Sequence, residues 1–272
     1  MKPRIALRIE VPNYRAAHAG VPLLAELLQR HRAGASFLFA FGPDWLGRSA
    51  AREASALRRL RDDGFEVGVS GWQPARWIKQ AEHAESAWSA DQLGRATAAF
   101  AQVFGMPPRL HAAPGWRSNP HALRLTQRLG FACASDCRGR LPFVPVWNGE
   151  IVRCPQIPTT LPTLDELADG ERPDPQALQT RLLALTATPP AAGHVFSLAA
   201  SPAVAKHAEL IEGLLAGWGE QGYEVVSVQA VADDLEMDKL PRHEVVIGRV
   251  PGRAGTLLVQ GEEFLSAWRN PT

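Results

Sequence analysis

A parallel α/β barrel is the fold class this sequence predicts, and three observations predict it. Short apolar runs of strand length alternate with segments of helical periodicity, the pattern of repeated βα units. The chain has 272 residues, 46% of them apolar, enough for one large core. No run approaches ~18 consecutive apolar residues, so these segments belong to a core and not to a membrane span.

The elements follow in order. Ile5–Val11 is the first expected strand and Val21–His31 the first helix. Ser36–Phe41 is a strand, and the helix Ala51–Asp63 ends at Asp62-Asp63-Gly64, a good stop. Glu66–Val69 is a strand and Asp91–Phe104 a helix, with Trp72–Trp88 between them expected as a loop. Arg109–Ala112, the helix Pro120–Leu129 closed by Gly130, and the strands Phe131–Ala134 and Ile151–Gln156 come next. Asp174 opens the helix Asp174–Leu185, its side chain able to cap while Pro175 suits the first turn. Val195–Leu198, Ala203–Gln221, Glu224–Val228 and Ala230–Leu235 complete the βα pattern. Residues Glu244–Gln260 alternate around Gly252 and Gly255 and are expected to form a terminal hairpin. The sum is a seven- or eight-stranded barrel, imperfectly closed, in a single domain spanning residues 1–272 with a C-terminal extension at 244–260. Neither repeats nor low-complexity segments are present.

Composition narrows the function. With 29 basic and 28 acidic residues the net charge is +1, so there is no electrostatic case for nucleic acid. Cys133, Cys137 and Cys154 are an odd, sparse set that fits a reducing compartment better than a disulfide framework. Cys133 and Cys137 lack the second Cys/His pair of a zinc site. Arg8 and Glu10 interrupt the N-terminal apolar run too early for a secretory signal, which points to a cytoplasmic protein, at most peripheral at the inner face of a membrane.

Several long strings, in order, resemble one family. They include Val21-Pro22-Leu23-Leu24, Phe41-Gly42-Pro43-Asp44, Gly47-Arg48, Ala113-Pro114-Gly115-Trp116-Arg117 and Ser135-Asp136-Cys137-Arg138-Gly139. Gln156-Ile157-Pro158-Thr159-Thr160-Leu161-Pro162-Thr163 and Val250-Pro251-Gly252-Arg253-Ala254-Gly255 continue the series. This sequence resembles the polysaccharide deacetylase (NodB-homology) family, in particular the branch that deformylates 4-formamido-arabinose on an undecaprenyl phosphate carrier. The resemblance implies a distorted (β/α)7 barrel. It also implies hydrolysis of an N-acyl group with a divalent metal such as zinc, an Asp and two His as ligands, a second Asp as base and a later His as acid.

At those positions the chain departs from the pattern. The base position is Glu10, still a carboxylate. The metal Asp is replaced by Pro12, the two His by Ser70 and Pro74, and the acid His by Ala199. Losing one catalytic group commonly costs about two to four decades of rate. No metal and no other cofactor is therefore expected. Substitute ligands could come from Glu10, His18, Asp44, His111 or Asp136, and Ser70 lacks a neighbouring His to make it a nucleophile. Trp116, Arg117, Asp136 and Arg138 are expected at the mouth, either as a ligand pocket for a sugar or sugar phosphate or as a brace in which Asp136 meets Arg117.

Trp72, Trp77 and Trp88 lie on the segment expected as a loop over the mouth. They are read either as a partner surface or as a plug for the emptied site. The leading expectation is a non-catalytic homologue of the lipid-linked formamido-sugar deformylases. It would act as a homo- or hetero-oligomer that pairs with or regulates an active deacetylase. The alternatives are an active hydrolase of N-formyl or N-acetyl bonds on a sugar, and a sugar-phosphate binding module.

Overall fold

The structure, a computed structural model, describes residues 2–168 and 174–265. Its strands are β1 (Arg4–Val11), β2 (Ser36–Phe39), β3 (Glu66–Val69), β4 (Leu110–His111), β5 (Cys133–Ala134), β6 (Val144–Trp147), β7 (Glu150–Ile151), β8 (His194–Ala199), β9 (Glu224–Val226), β10 (Arg242–Gly248) and β11 (Leu257–Glu263). Seven of them form a curled, wholly parallel half-barrel in the order β5-β4-β3-β2-β1-β8, with β9 also on β1. The centre falls to β1 because its run is apolar on both faces: Ile5, Ala6, Leu7, Ile9 and Val11 are all buried. It pairs with β8 along Ile5–Glu10, with β2 along Arg8–Val11 and with β9 along Arg4–Ala6.

The helices are α1 (Val21–Arg30), α2 (Ala54–Asp62), α3 (Pro74–Gln80), α4 (Ser86–Phe104), α5 (Pro120–Arg128), α6 (Leu164–Leu167), α7 (Pro175–Leu185), α8 (Ala208–Glu220) and α9 (Val228–Ala232). They pack apolar stripes on the sheet: Leu24, Leu27 and Leu28 from α1, Leu57 and Leu60 from α2, Leu214 and Trp218 from α8.

Three departures from the sequence reading shape the site. Residues Pro74–Gln80 are helix and not loop, because Pro74 sits at the first helical position after an extended Gln73, where its fixed φ and missing N–H do no harm. Ile151–Gln156 is not a barrel strand, since Pro155 and Pro158 remove ladder donors. The gap between β5 and β8 is instead closed by the irregular segment 156–161. Ile157 N donates to Ala134 O and Thr159 N to Cys137 O on one side, and Thr160 N and Leu161 N both donate to Val195 O on the other. Finally, the C-terminal hairpin, β10 with β11, joins a second sheet of order β11-β10-β6-β7 that includes the unforeseen β6.

At the opposite end of the barrel from the strand mouths, Glu66 accepts hydrogen bonds from Ser36 Oγ and from Gln229 N (3.0 Å). Burial raises its pKa to about 7, against the favourable hydrogen bonds from Ser36 and Gln229. The folded chain thus holds this proton more tightly than the unfolded chain. The associated stability is full below about pH 4.5 and is lost as pH rises through 7, with a total of about 3 kcal/mol. Glu66→Gln is expected to flatten the stability–pH slope between pH 5 and 8, measured by urea midpoints. An unchanged slope would refute the assignment.

Candidate functional site at the barrel mouth

Parallel strands bring their C-terminal ends to one side, and that is where the sequence-predicted positions gather. Glu10 ends the inward run of β1, in register with Leu38 on β2 and Ala199 on β8. Ser70 follows β3, buried, with its N–H on Phe39 O (2.8 Å). Pro12 follows β1, and Pro74 opens α3.

Arg8 lies two residues before Glu10 and so shares its face of β1. Its fully buried guanidinium donates to Glu10 Oε1 (2.7 Å), Ser135 O (3.0 Å) and Thr159 Oγ1 (3.1 Å). Burial pulls the Arg8 pKa below its ordinary value, and the charges of Glu10 and Asp136 oppose that shift.

Trp116 organises the floor. It and Gly115 both take left-handed backbone angles (φ +55° and +62°), which glycine accepts and a tryptophan adopts only at a cost of about 1–2 kcal/mol. Three guanidiniums, Arg8, Arg138 and Arg253, lie 4.9, 5.0 and 4.7 Å from the Trp116 ring. The indole Nε1 donates to Thr159 Oγ1 (3.0 Å). Arg138 donates to both oxygens of Glu166 (2.7 and 2.9 Å), to Thr159 O and to Leu161 O. Glu166 also accepts from Arg253 (3.4 Å), which reaches in from the turn between β10 and β11.

These contacts correct the pocket expectation. Trp116, Asp136 and Arg138 are buried and engaged internally, so they brace the mouth instead of lining an open pocket. Asp136 does not meet Arg117. It accepts from His111 Nδ1 (2.8 Å), Ala113 N (2.8 Å) and Gln156 Nε2 (3.3 Å), while Arg117 donates to Ile78 O (3.1 Å). The aromatic partner surface fails for Trp77, which is fully buried and donates to Arg117 O (2.6 Å). Trp88 packs on it at 5.3 Å, and Trp72 and Trp88 are half-buried against the core. Folding residues 74–80 into a helix turned Trp77 inward, where it packs with Ala81, Leu93, Ala122 and Trp88 beside α4 and α5.

The candidate substitute ligands do not converge. His18 pairs with Glu53 (3.1 Å), Asp44 binds within its own turn, and His111 and Asp136 form a buried pair. Among the described residues no three His, Cys, Asp or Glu groups stand together to hold a metal. Pro12, Pro74 and Ala199 offer no side-chain donor, and Ser70 only a hydroxyl, so the residues at the mouth do not fit a divalent cation. Burial raises the thiol pKa of Cys133 and Cys137 and pushes that of Cys154 up to about 12, which keeps them from acting as thiolates.

Sequence reading missed Glu166 and Thr159. Glu166 was legible as the third residue after Thr163, a capping-box spacing that the structure shows complete. Thr159 carried no such signal.

Residues 14–134 match the family model for polysaccharide deacetylase. The chain is similar to the polysaccharide deacetylases over this stretch. The matched stretch includes Ser70 and Pro74 but not Glu10, Pro12 or Ala199. The chain is 28% identical to a Shewanella sediminis (strain HAW-EB3) protein assigned as 4-deoxy-4-formamido-L-arabinose-phosphoundecaprenol deformylase ArnD, over 93% of each chain. A Wigglesworthia glossinidia brevipalpis protein of the same assignment is 28% identical over 54% of this chain and 65% of its own. Among solved structures, a Mycobacterium smegmatis protein assigned to the polysaccharide deacetylases superposes with TM-score 0.67 at 17% identity, covering 92% of this chain and 96% of its own. A CE4 family pseudoenzyme from Bacillus anthracis superposes with TM-score 0.59 at 17% identity, covering 89% and 69%. At such identities the likeness establishes the deacetylase barrel and nothing finer.

Proposed function

We propose that this deacetylase domain is a non-catalytic relative of the lipid-linked formamido-sugar deformylases, acting by association with an active deacetylase-family protein and not by turnover. One observation carries the reading. Where the family resemblance calls for a metal set and a proton donor, the mouth presents Pro12, Ser70, Pro74 and Ala199, and the remaining carboxylate, Glu10, already has one oxygen on Arg8. No water can be activated by a cation the mouth cannot hold, and no side chain at Ala199 can protonate a leaving amine. The Bacillus anthracis pseudoenzyme and a variant of it named as having restored activity indicate that this barrel tolerates the loss of its chemistry. The inward packing of Trp77 supports a mouth that no longer has to admit substrate.

The likeness to ArnD over 93% of the chain favours a second reading, hydrolysis of a formamido sugar by some other donor set. One experiment separates them. Untagged protein is analysed for metal and assayed with a formamido-arabinose lipid. The expected result is no stoichiometric metal and no deformylation above the blank. Deformylation abolished by Glu10→Ala, or stoichiometric zinc near Glu10, would overturn the proposal. Combining Pro12→Asp, Ser70→His, Pro74→His and Ala199→His is expected to create metal affinity. Regained turnover additionally needs the residues that support those ligands. Association is read by native mass. A strictly monomeric chain that captures no deacetylase-family protein would remove the partner role.

A further inference from the structure

Trp45 is 88% exposed and Leu46 50% exposed, side by side at the tip of the turn that follows β2. The turn is locked. The Asp44 carboxylate accepts from Leu46 N (2.9 Å), Arg48 N (2.9 Å) and Arg48 Nε (3.0 Å), while Asp44 N donates to Arg48 O and Gly47 N to Asp44 O. Two large apolar side chains are therefore held out in water by a rigid support, at the same end of the barrel as Glu10. The segments after β1, β2 and β3, residues 12–20, 42–53 and 72–80, carry five Arg and Lys against two acids, Asp44 and Glu53. Both acids are paired, with Arg48 and His18. Arg15, Arg52, Arg76 and Lys79 are exposed and make no ion pair among the described residues.

We propose that the barrel mouth docks on an anionic membrane, with Trp45 and Leu46 in the headgroup–acyl boundary and these four cations over the headgroups. The shape favours a bilayer over a protein partner. A protein interface of ordinary size buries about 800 Å² per partner and is depleted of charge at its centre. Here the apolar part is only two adjacent residues on one turn, and the exposed cations lie on that turn's own segment and on the neighbouring ones after β1 and β3. Tryptophan favours the membrane–water boundary, and clustered Lys and Arg favour anionic leaflets. Among the described residues no helix is long and apolar enough to cross a membrane, so attachment by this tip would be peripheral. The proposal is independent of whether the barrel turns over.

The test is co-sedimentation of the full chain with phosphatidylcholine vesicles, with and without phosphatidylglycerol. The wild type is expected to bind the anionic vesicles, less so at high salt. Trp45→Ala with Leu46→Ala is expected to weaken binding about tenfold or more with an unchanged melting temperature, and Arg52→Glu with Arg76→Glu to weaken it on anionic vesicles only. A wild type that stays in the supernatant with both vesicles overturns the proposal. So does a double-alanine variant that binds like wild type, or one that dissociates a protein assembly in light scattering while vesicle binding persists.

Discussion

Glu166→Ala is expected to cost about 3–5 kcal/mol of folding stability, a large share of the 5–15 kcal/mol that holds a typical domain. Glu166 is buried and answers two arginines at once, Arg138 at 2.7 Å and Arg253 at 3.4 Å. Its Oε2 also accepts from Thr163 N (3.0 Å), closing the capping box of α6. Alanine leaves the Arg138 guanidinium buried without its counter-charge, and that burial is the main cost. It also frees Arg253, the contact through which the β10–β11 turn grips the mouth. Urea unfolding measures the loss. Glu166→Gln keeps an acceptor for the cap and should fall between wild type and alanine. An alanine variant within about 1 kcal/mol of wild type would show that the cluster is not a stability element.

Gly252→Ala is the second large effect, of about 3 kcal/mol or more. Gly252 has φ +73°, and a Cβ built there would lie 2.0 Å from the backbone oxygen of Glu166. A backbone atom cannot swing aside, so the turn must lift from α6. Gly64 provides the control, with φ +92° and nothing within 4 Å of a built Cβ. Gly64→Ala should therefore show only the conformational cost of about 1 kcal/mol. Equal losses at the two positions would mean that the contact with Glu166 is irrelevant. Thermal melts of both variants decide it.

The alternation of strand and helix was legible because every expected strand but one proved to be a barrel strand. Glu66–Val69 matched residue for residue, and Val195–Leu198 lies inside β8. The exception, Ile151–Gln156, carries its apolar residues in a segment bounded by prolines, where backbone chemistry outweighs hydrophobicity. Residues 74–80 erred the other way: expected as loop, they form a helix that starts at Pro74. In the site, the emptied positions were readable as residue types alone. Which polar groups face one another was not. His111 with Asp136, and Arg138 with Glu166, are 25 and 28 residues apart and meet only because adjacent strand ends and the closing segment converge. Burial of Trp77 was hidden for the same reason, since it depends on what the loop before α5 supplies as an acceptor.

The central position of β1 has a consequence for biosynthesis. Among the described strands this one is synthesised before its partners, since β8 and β9, which pair with it, begin at His194 and Glu224. At 5–20 residues per second, the roughly 180 residues between β1 and β8 take about ten to forty seconds to appear. For that interval the nascent chain carries a largely apolar strand with one edge unpaired, and such edges template aggregation. Its long-range pairings also place it among slow-folding topologies. Occupancy by a chaperone that recognises apolar strands should therefore rise once Val11 is clear of the tunnel and fall only after residues near Val226 are out.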